Sequence, residues 1–271
     1  STQSRSSAAS DVYKRQLRGG GIGLLAGLTL LATGQPACAG AWNLPKGQGQ
    51  AILKYESIRA DEAFSPDGDR VNLPGDRRDS AASLLVEYGL DERFTLQMKG
   101  EWQGGRDAFV DYQGRGPLEI GVRWQAYRDA RNVAAVYVGY AHGGEGRNAG
   151  YAAPGAGDHD WEARLLAARN FGVDGQGGFI EAQAARRWRS GLPDETRLDL
   201  TAGAPLSPGW MLLGQAYAGA ADDGGARWLS LETSVVRRLG DWSLQAGWRT
   251  AVAGRETPAG QGPVIGIWRR F

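Results

Sequence analysis

The sequence predicts an all-β fold, because apolar and polar side chains alternate in many short segments. Between residues 118 and 128, Ile120, Val122 and Trp124 alternate with polar or small residues, and similar runs cover 93–103 and 242–252. A period of two is that of a strand with one apolar face. The chain also holds 42 Gly and 10 Trp but only 2 Met in 271 residues, a turn-rich and aromatic composition. These features predict a transmembrane antiparallel up-and-down β-barrel of about twelve strands.

The placement of tryptophan favours this barrel over a soluble β-sandwich, which would show the same alternation. Several tryptophans lie on the apolar face of a run, often near its end, where barrels concentrate aromatic side chains at the membrane interfaces. The mean hydropathy of -0.40 does not contradict a membrane location, since lipid-facing and lumen-facing residues average out. The tryptophans concerned are Trp102, Trp124, Trp161, Trp242 and Trp248.

Twelve strands can be placed along the chain, and an even number is expected for a single-chain bacterial barrel. Each has about the length that a tilted strand needs to cross a bilayer. The predicted strands are 49–59, 80–90, 93–103, 117–128, 132–142, 160–171, 178–189, 195–206, 209–220, 226–239, 241–252 and 263–271.

The connections between these strands alternate in length, as in outer-membrane barrels with short periplasmic turns and longer external loops. The first strand leads into a long connection and the last strand follows one, so both termini lie at the end with the short turns and are predicted to be periplasmic. The short connections are 91–92, 129–131, 173–177, 207–208 and 240, and the longer or glycine-rich ones are 60–79, 104–116, 143–159, 190–194, 221–225 and 253–262.

The N-terminal residues indicate export from the cytoplasm. Residues 1–16 resemble translated vector or adapter sequence, and residues 17–39 read as a signal peptide with an apolar stretch too short to span a bilayer. Cleavage is expected before Gly40, with cleavage before Trp42 as the alternative. Cys38 is the single cysteine and lies in the part expected to be removed. A lipoprotein reading would acylate Cys38, but Gln35 stands where such sites carry leucine.

The C-terminal run ends in Phe271, which resembles the signal read by the bacterial barrel-assembly machinery, with Gly266 at the expected offset. Arg269 departs from that pattern, since an aromatic or apolar residue is usual there. We therefore expect the assembly machinery and outer-membrane lipid as partners, and a monomer.

The charge of the chain excludes a nucleic-acid partner. The whole chain has a net charge of +1. Residues 1–39 carry four basic side chains and one acidic side chain, a net charge of +3, so the rest of the chain has a net charge near -2. No basic patch is left on which nucleic-acid binding could rest.

Three segments carry a family resemblance that covers residues 41–271. They are Ala41 to Gln50, Glu87 to Leu90 and Ile267 to Phe271. In these segments the chain resembles an uncharacterised group of proteobacterial outer-membrane barrels, broadly similar to the channels named for the phenol-degradation MetA pathway. The resemblance implies location and fold, and it transfers no catalytic or binding residue.

The inward-facing positions of the predicted barrel carry charges of both signs. One interpretation is a narrow channel for small polar or amphipathic solutes; the alternative is a cross-lumen ion-pair lattice in a structural or assembly-partner barrel that does not conduct. The candidate lumen-lining residues are Lys54, Glu56, Glu87, Lys99, Glu101, Glu119, Arg123, Glu162, Arg164, Glu181, Arg187, Arg197, Asp199, Glu232 and Arg249.

An outer-membrane hydrolase is a less favoured reading, because the possible catalytic residues are few. Only His142 and His159 offer an imidazole base, with Asp158 and Asp160 beside the second. Neighbouring residues of an extended segment point to opposite sides, which also argues against a metal site there. Asp222 and the adjacent Asp223 lack the further ligands of a calcium loop. The sequence therefore predicts no catalytic residues, no metal and no cofactor.

Overall fold

In this computed structural model, residues 40–109, 111–144, 157–172 and 177–271 are described, and their regular structure is entirely β. None of them forms a helix long and apolar enough to cross a membrane. The predicted adapter segment, the signal peptide and Cys38 lie outside these residues. The strands are β1 (Gly49–Phe64), β2 (Arg70–Gly89), β3 (Phe94–Arg106), β4 (Asp111–Arg128), β5 (Asn132–His142), β6 (His159–Asn170), β7 (Phe179–Arg189), β8 (Glu195–Ser207), β9 (Trp210–Ala221), β10 (Arg227–Leu239), β11 (Trp242–Arg255), β12 (Thr257–Pro258) and β13 (Gln261–Arg270).

Twelve long strands close into one antiparallel barrel, which confirms the predicted fold class. Consecutive long strands pair with each other, and β1 pairs with β13 on one side and β2 on the other. The two-residue β12 adds a short pairing to the far end of β1. Closure satisfies the backbone groups that an open sheet edge would leave unpaired in lipid.

Short turns join the strands at the end of the barrel where β1 begins and β13 ends, which we call the turn end. Gly209 and Gly240 have φ values of 76° and 65°, a left-handed conformation that glycine adopts without a Cβ penalty. Asp91 and Asp129 each accept hydrogen bonds from backbone N–H groups two and three residues later. Such Asx turns reverse the chain within a few residues.

At the opposite end, the loop end, the strands run further than predicted. Residues 60–79 were expected to form a loop, but β1 continues to Phe64 and β2 starts at Arg70. The two strands stay paired past a register shift between Ala60 and Glu62. Ser65 then closes the hairpin, since its hydroxyl accepts the N–H groups of Asp67 and Asp69. The predicted loop 104–116 is shortened in the same way.

The outer face of the barrel is apolar, and its aromatic side chains lie in two belts. Ile265 and Ile267 are 55% and 43% exposed, whereas Val264, which precedes Ile265 and faces inward, is 0% exposed. One belt lies near the turn end and holds Phe94, Trp124, Trp210 and Trp242; the other lies toward the loop end and holds Trp102, Trp161, Trp188 and Trp248. Two aromatic girdles around an apolar band are the pattern of a barrel embedded in a bilayer.

Arg269, which departs from the expected C-terminal pattern, lies on this outer face within the belt at the turn end. Its guanidinium carbon is 4.9 Å from the ring centroid of Trp242. A cation over an indole face is stabilised by the ring quadrupole, and a long arginine stem can place its charge at the interface. Arg237 stacks on Trp210 in the same way, at 5.0 Å.

Candidate functional site

The interior of the barrel is the candidate functional site, because polar side chains fill its inner face. Along β4 and β11, Arg123, Gln125, Ser243 and Gln245 are buried, while their sequence neighbours are exposed to the outside. All fifteen candidate lumen-lining residues are buried or half-buried, and each lies on a strand. Their role in a conducting pathway stays a prediction.

Residues 40–45, which we call the plug segment, precede β1 and enter the lumen at the turn end. Ala41 is 0% exposed, and its N–H donates to Glu181 Oε2 at 2.9 Å. Arg123 Nη2 donates to the carbonyl of Trp42 at 3.1 Å. The segment pairs with no strand, so side chains of the barrel wall supply most of its contacts.

The plug segment completes an apolar layer across the turn end of the lumen. The indole of Trp42 packs edge-on against the ring of Phe179, with 6.0 Å between centroids. Ala41 packs on one side of this layer and Trp42 spans both sides. The buried wall residues are Val133, Ala135, Tyr137, Leu166 and Ala168 on one side and Phe179, Leu213, Val236 and Trp268 on the other. The plug segment therefore brings apolar side chains into contact with both sides of the lumen at that level.

A buried ion pair lies beside the plug segment. Arg123 Nη1 is 2.7 Å from Glu87 Oε1, and both side chains are 2% exposed. Asn43 accepts a further hydrogen bond from Arg123 Nε at 3.5 Å. Removing one partner of such a pair would leave the other charge buried without compensation. The pair therefore fixes one wall of the lumen and a contact of the plug segment together.

A larger network of charged side chains lines the wall from β4 to β8. Glu162 is its centre: it is 3% exposed and accepts hydrogen bonds from Arg164, Arg187 and Arg197. Arg187 Nη2 also lies 3.3 Å from Glu119 Oε2. The members of this Glu162 network are Glu119, Glu162, Glu195, Arg164, Arg187, Arg189 and Arg197.

A second network lines the opposite wall, formed by β1 and β9 to β11. Glu232 has a side-chain exposure of 0% and pairs with Lys54 at 3.0 Å and Arg249 at 2.8 Å. Arg249 also pairs with Glu56 at 2.8 Å and lies 4.5 Å from the ring centroid of Tyr217. These pairs run along each wall, so the described ion pairs do not form the cross-lumen lattice that one interpretation of the sequence expected.

Four further candidates lie apart from the two networks and from the Arg123–Glu87 pair. Lys99 Nζ is 2.5 Å from Glu101, and these side chains are 39% and 14% exposed. Asp199 makes no ion pair within 4.0 Å of any described residue. Glu181 accepts hydrogen bonds from Ala41 and Gln183 and likewise has no basic partner among the described residues.

The sequence missed several buried charges. Arg189 and Glu195 are each 2% exposed in their side chains and lie 3.1 Å apart at the ends of β7 and β8. Side chains two residues apart on a strand share a face, so the inward position predicted for Arg197 also indicated Glu195. Arg77, 4% exposed, binds Asp79 through two nitrogen atoms, but these residues fell in a segment predicted as a loop.

The few residues that might have served catalysis are separated by the barrel wall. His142 and His159 are exposed on the outer face, with their ring centroids 5.0 Å apart. Asp160 faces inward with 0% exposure and accepts the N–H of Gly157 at 2.9 Å. Asp222 pairs instead with Arg186 at 2.5 Å. The described residues contain no cluster of three or more His, Cys, Asp or Glu that could hold a metal ion.

Comparison with solved structures places the fold among outer-membrane channels and porins. The structural match to a COG4313 outer membrane channel from Pseudomonas putida F1 covers 85% of this chain and 98% of the channel's chain. The TM-score is 0.65 and the sequence identity is 17%. The match to the KdgM porin covers 82% of this chain and 99% of the porin's chain, with a TM-score of 0.54 and 8% sequence identity. The match to the NanC porin covers 80% of this chain and 98% of the porin's chain, with a TM-score of 0.54 and 7% sequence identity.

At identities this low, the likeness shows the fold alone. No family model matches the chain, and no curated protein matches it. The broad resemblance to outer-membrane barrels is confirmed by these structures, while the finer resemblance to channels of the MetA pathway stays a prediction.

Proposed function

We propose that this protein is an outer-membrane channel for small polar or amphipathic solutes, held closed by its plug segment. The observation that carries the proposal is the position of residues 40–45, which cross the lumen without joining the sheet. A segment without backbone pairing to a strand can leave while the barrel stays intact. The structural neighbours, which are channels and porins rather than enzymes, are in line with this function.

The two wall networks support passage of polar solutes. The charges of each network pair with one another and with none of the other network, so opening would not require breaking any of the described ion pairs between opposite walls. With the plug segment displaced, charged side chains would line both sides of a water-filled path and bias which ions enter. The plug segment is then the main barrier to solutes, and the apolar layer around Trp42 is the part of it that closes the lumen.

The experiment that tests the proposal is conductance in planar bilayers. We expect the mature protein beginning at Gly40 to give little steady current, and a variant that begins at Lys46 to give steady channels and to admit small sugars in liposome swelling. Trp42→Ala should open the channel partly, because it removes the ring that packs on Phe179. Heat-modifiable migration of each variant would verify that the barrel has formed.

A barrel without conductance is the second candidate, and the density of buried ion pairs favours it. Such a barrel would serve structure or the assembly of a partner. If the variant lacking residues 40–45 folds but remains silent in the bilayer and in swelling assays, the channel proposal is wrong and this second function stands.

A further inference from the structure

Glu181 is buried in the lumen and makes no ion pair within 4.0 Å with any residue that the structure describes. Its exposure is 3%, and its described partners are the N–H of Ala41 and the side-chain amide of Gln183. No described basic side chain lies within 4.0 Å of it. By contrast, Glu87, Glu162 and Glu232 each have at least one basic partner. Burying an ionised carboxylate with neutral donors alone is unfavourable, so an ionised Glu181 would be stabilised by a positive charge placed beside it.

Gly40 lies directly against this carboxylate. A Cβ atom at Gly40 would be 2.1 and 1.9 Å from Oε1 and Oε2 of Glu181, far inside van der Waals contact. Its φ of 121° is also in the region that favours glycine. No residue with a side chain fits there unless Glu181 moves. The backbone nitrogen of Gly40 is bonded to the same Cα, so it lies within reach of the carboxylate.

The predicted signal-peptide cleavage before Gly40 would turn this nitrogen into a free α-amino group. An α-ammonium is positively charged at neutral pH and offers three hydrogen-bond donors. We infer that the α-ammonium of Gly40 is the missing cation of Glu181, and that this ion pair holds the plug segment in the lumen. The inference rests on the proposed function, in which the plug segment closes the channel.

The Gly40–Glu181 pair gives processing a direct consequence for closure. Before cleavage, the nitrogen of Gly40 is a neutral amide and Glu181 has no partner charge. After cleavage, the same nitrogen carries the charge that complements the site. The pair adds to the hydrogen bonds of Ala41 and Trp42, and it acts at the free end of the segment, where side-chain packing alone would hold the chain least.

The first test identifies the mature terminus and the state of its amine. Mass spectrometry of protein from outer membranes should find Gly40 as the first residue. Amine-reactive labelling at neutral pH should modify the α-amino group slowly in the folded wild type and faster in Glu181→Gln. A mature chain that starts at Trp42, or an α-amino group labelled equally fast in both proteins, overturns the inference.

The second test measures closure in planar bilayers. Glu181→Gln, an added alanine ahead of Gly40, and N-terminal acetylation should each raise the open fraction about tenfold or more, as expected for loss of a close charge pair. Acetylation of Glu181→Gln should add little, because the pair is already broken. Glu256→Gln, on the exposed rim away from the plug, is the matched control and should leave the open fraction unchanged.

The results separate this inference from the channel proposal. Suppose that the variant lacking residues 40–45 conducts, but that acetylation and Glu181→Gln leave the open fraction at the wild-type value. The channel is then closed by the plug segment, and the Gly40–Glu181 ion pair is refuted. If the shortened variant is silent, the channel proposal itself fails. Should Glu181→Gln not fold, acetylation of the wild-type chain decides the matter alone.

Discussion

Asp129 shows how one carboxylate can determine the geometry of a turn. It lies between β4 and β5 at the turn end, outside the membrane-spanning part of the strands. The side-chain amide of Asn132, followed by the N–H groups of Arg131 and Asn132 and the hydroxyl of Tyr127, holds the pKa of Asp129 well below its usual range. Since each donor favours the ionised form, the turn is stabilised by the charge itself.

The stabilisation by Asp129 should depend on pH in a defined direction. Its pKa is lower in the folded state, so the contribution is present above the unfolded pKa of about 3.9 and is lost as the pH falls toward the folded value. Asp129→Asn should therefore lower the urea midpoint of unfolding at pH 7, and the difference from wild type should shrink at pH 3.

The control for this prediction is Asn132→Ala, which removes the strongest donor. In that background, Asp129→Asn should matter less at pH 7. A difference between wild type and Asp129→Asn that is equal at pH 3 and pH 7 would show that the charge of Asp129 plays no part.

Individual strands are where sequence reasoning was most accurate. In β13, the predicted strand 263–271 agrees with the observed bounds to within two residues, and Phe271 exchanges backbone hydrogen bonds with Gly49 at the closing seam. The role of Phe271 as an assembly signal stays a prediction. Arg269 was read as a departure, because a single strand does not reveal that Trp242 stands opposite it on the neighbouring strand. Cross-strand partners depend on register, which the alternation alone does not give.

The lipid-facing assignment of β4 can be tested by placing a charge on it. Val122 is 39% exposed on the outer face, within the apolar band. Val122→Arg should destabilise the folded barrel by about 2 to 4 kcal/mol if the residue lies near the middle of the bilayer. The measurement is the unfolding free energy in lipid vesicles.

Val71→Arg is the matched control, since Val71 is 37% exposed in the extension of β2 beyond the membrane band. It should change the unfolding free energy little. Equal costs at the two valines would mean that β4 does not present Val122 to lipid. Arg123 is unsuited as a comparison, because its ion pair with Glu87 would be lost as well.

For the whole molecule, the sequence predicted the closed barrel and the strand count, while the role of the charged side chains as the lining of a pathway stays a prediction. It did not predict the plug segment, because residues 40–45 have no alternation, and nothing local shows that Trp42 meets Phe179 about 140 residues away. It also expected loops where hairpins extend past the membrane band, since a strand exposed on both faces loses its apolar alternation. The pairing of charges along the walls required the register of all twelve strands.

The selectivity of the open channel should follow from the less buried wall charges. Glu56 and Glu101 have side-chain exposures of 26% and 14%, whereas Glu162 at 3% holds three arginines in place. In the variant lacking residues 40–45, Glu56→Gln with Glu101→Gln should shift the reversal potential in a salt gradient toward anions.

The control for selectivity combines Glu62→Gln and Glu92→Gln, which lie outside the lumen networks at the two ends of the barrel. It should leave the reversal potential unchanged. If neutralising Glu56 and Glu101 also leaves it unchanged, these side chains do not line the conducting path.

The plug segment is joined to β1 at the turn end through residues 46–48, where Gly47 bonds to Gly89 and Gly49 to Phe271. After the predicted cleavage before Gly40, its other end would be free inside the lumen. An electric field pointing from the turn end to the loop end pushes a positively charged free end deeper, and the reversed field draws it out. The current through the intact protein should thus depend on the sign of the applied voltage, and a barrel without the segment should lose that asymmetry.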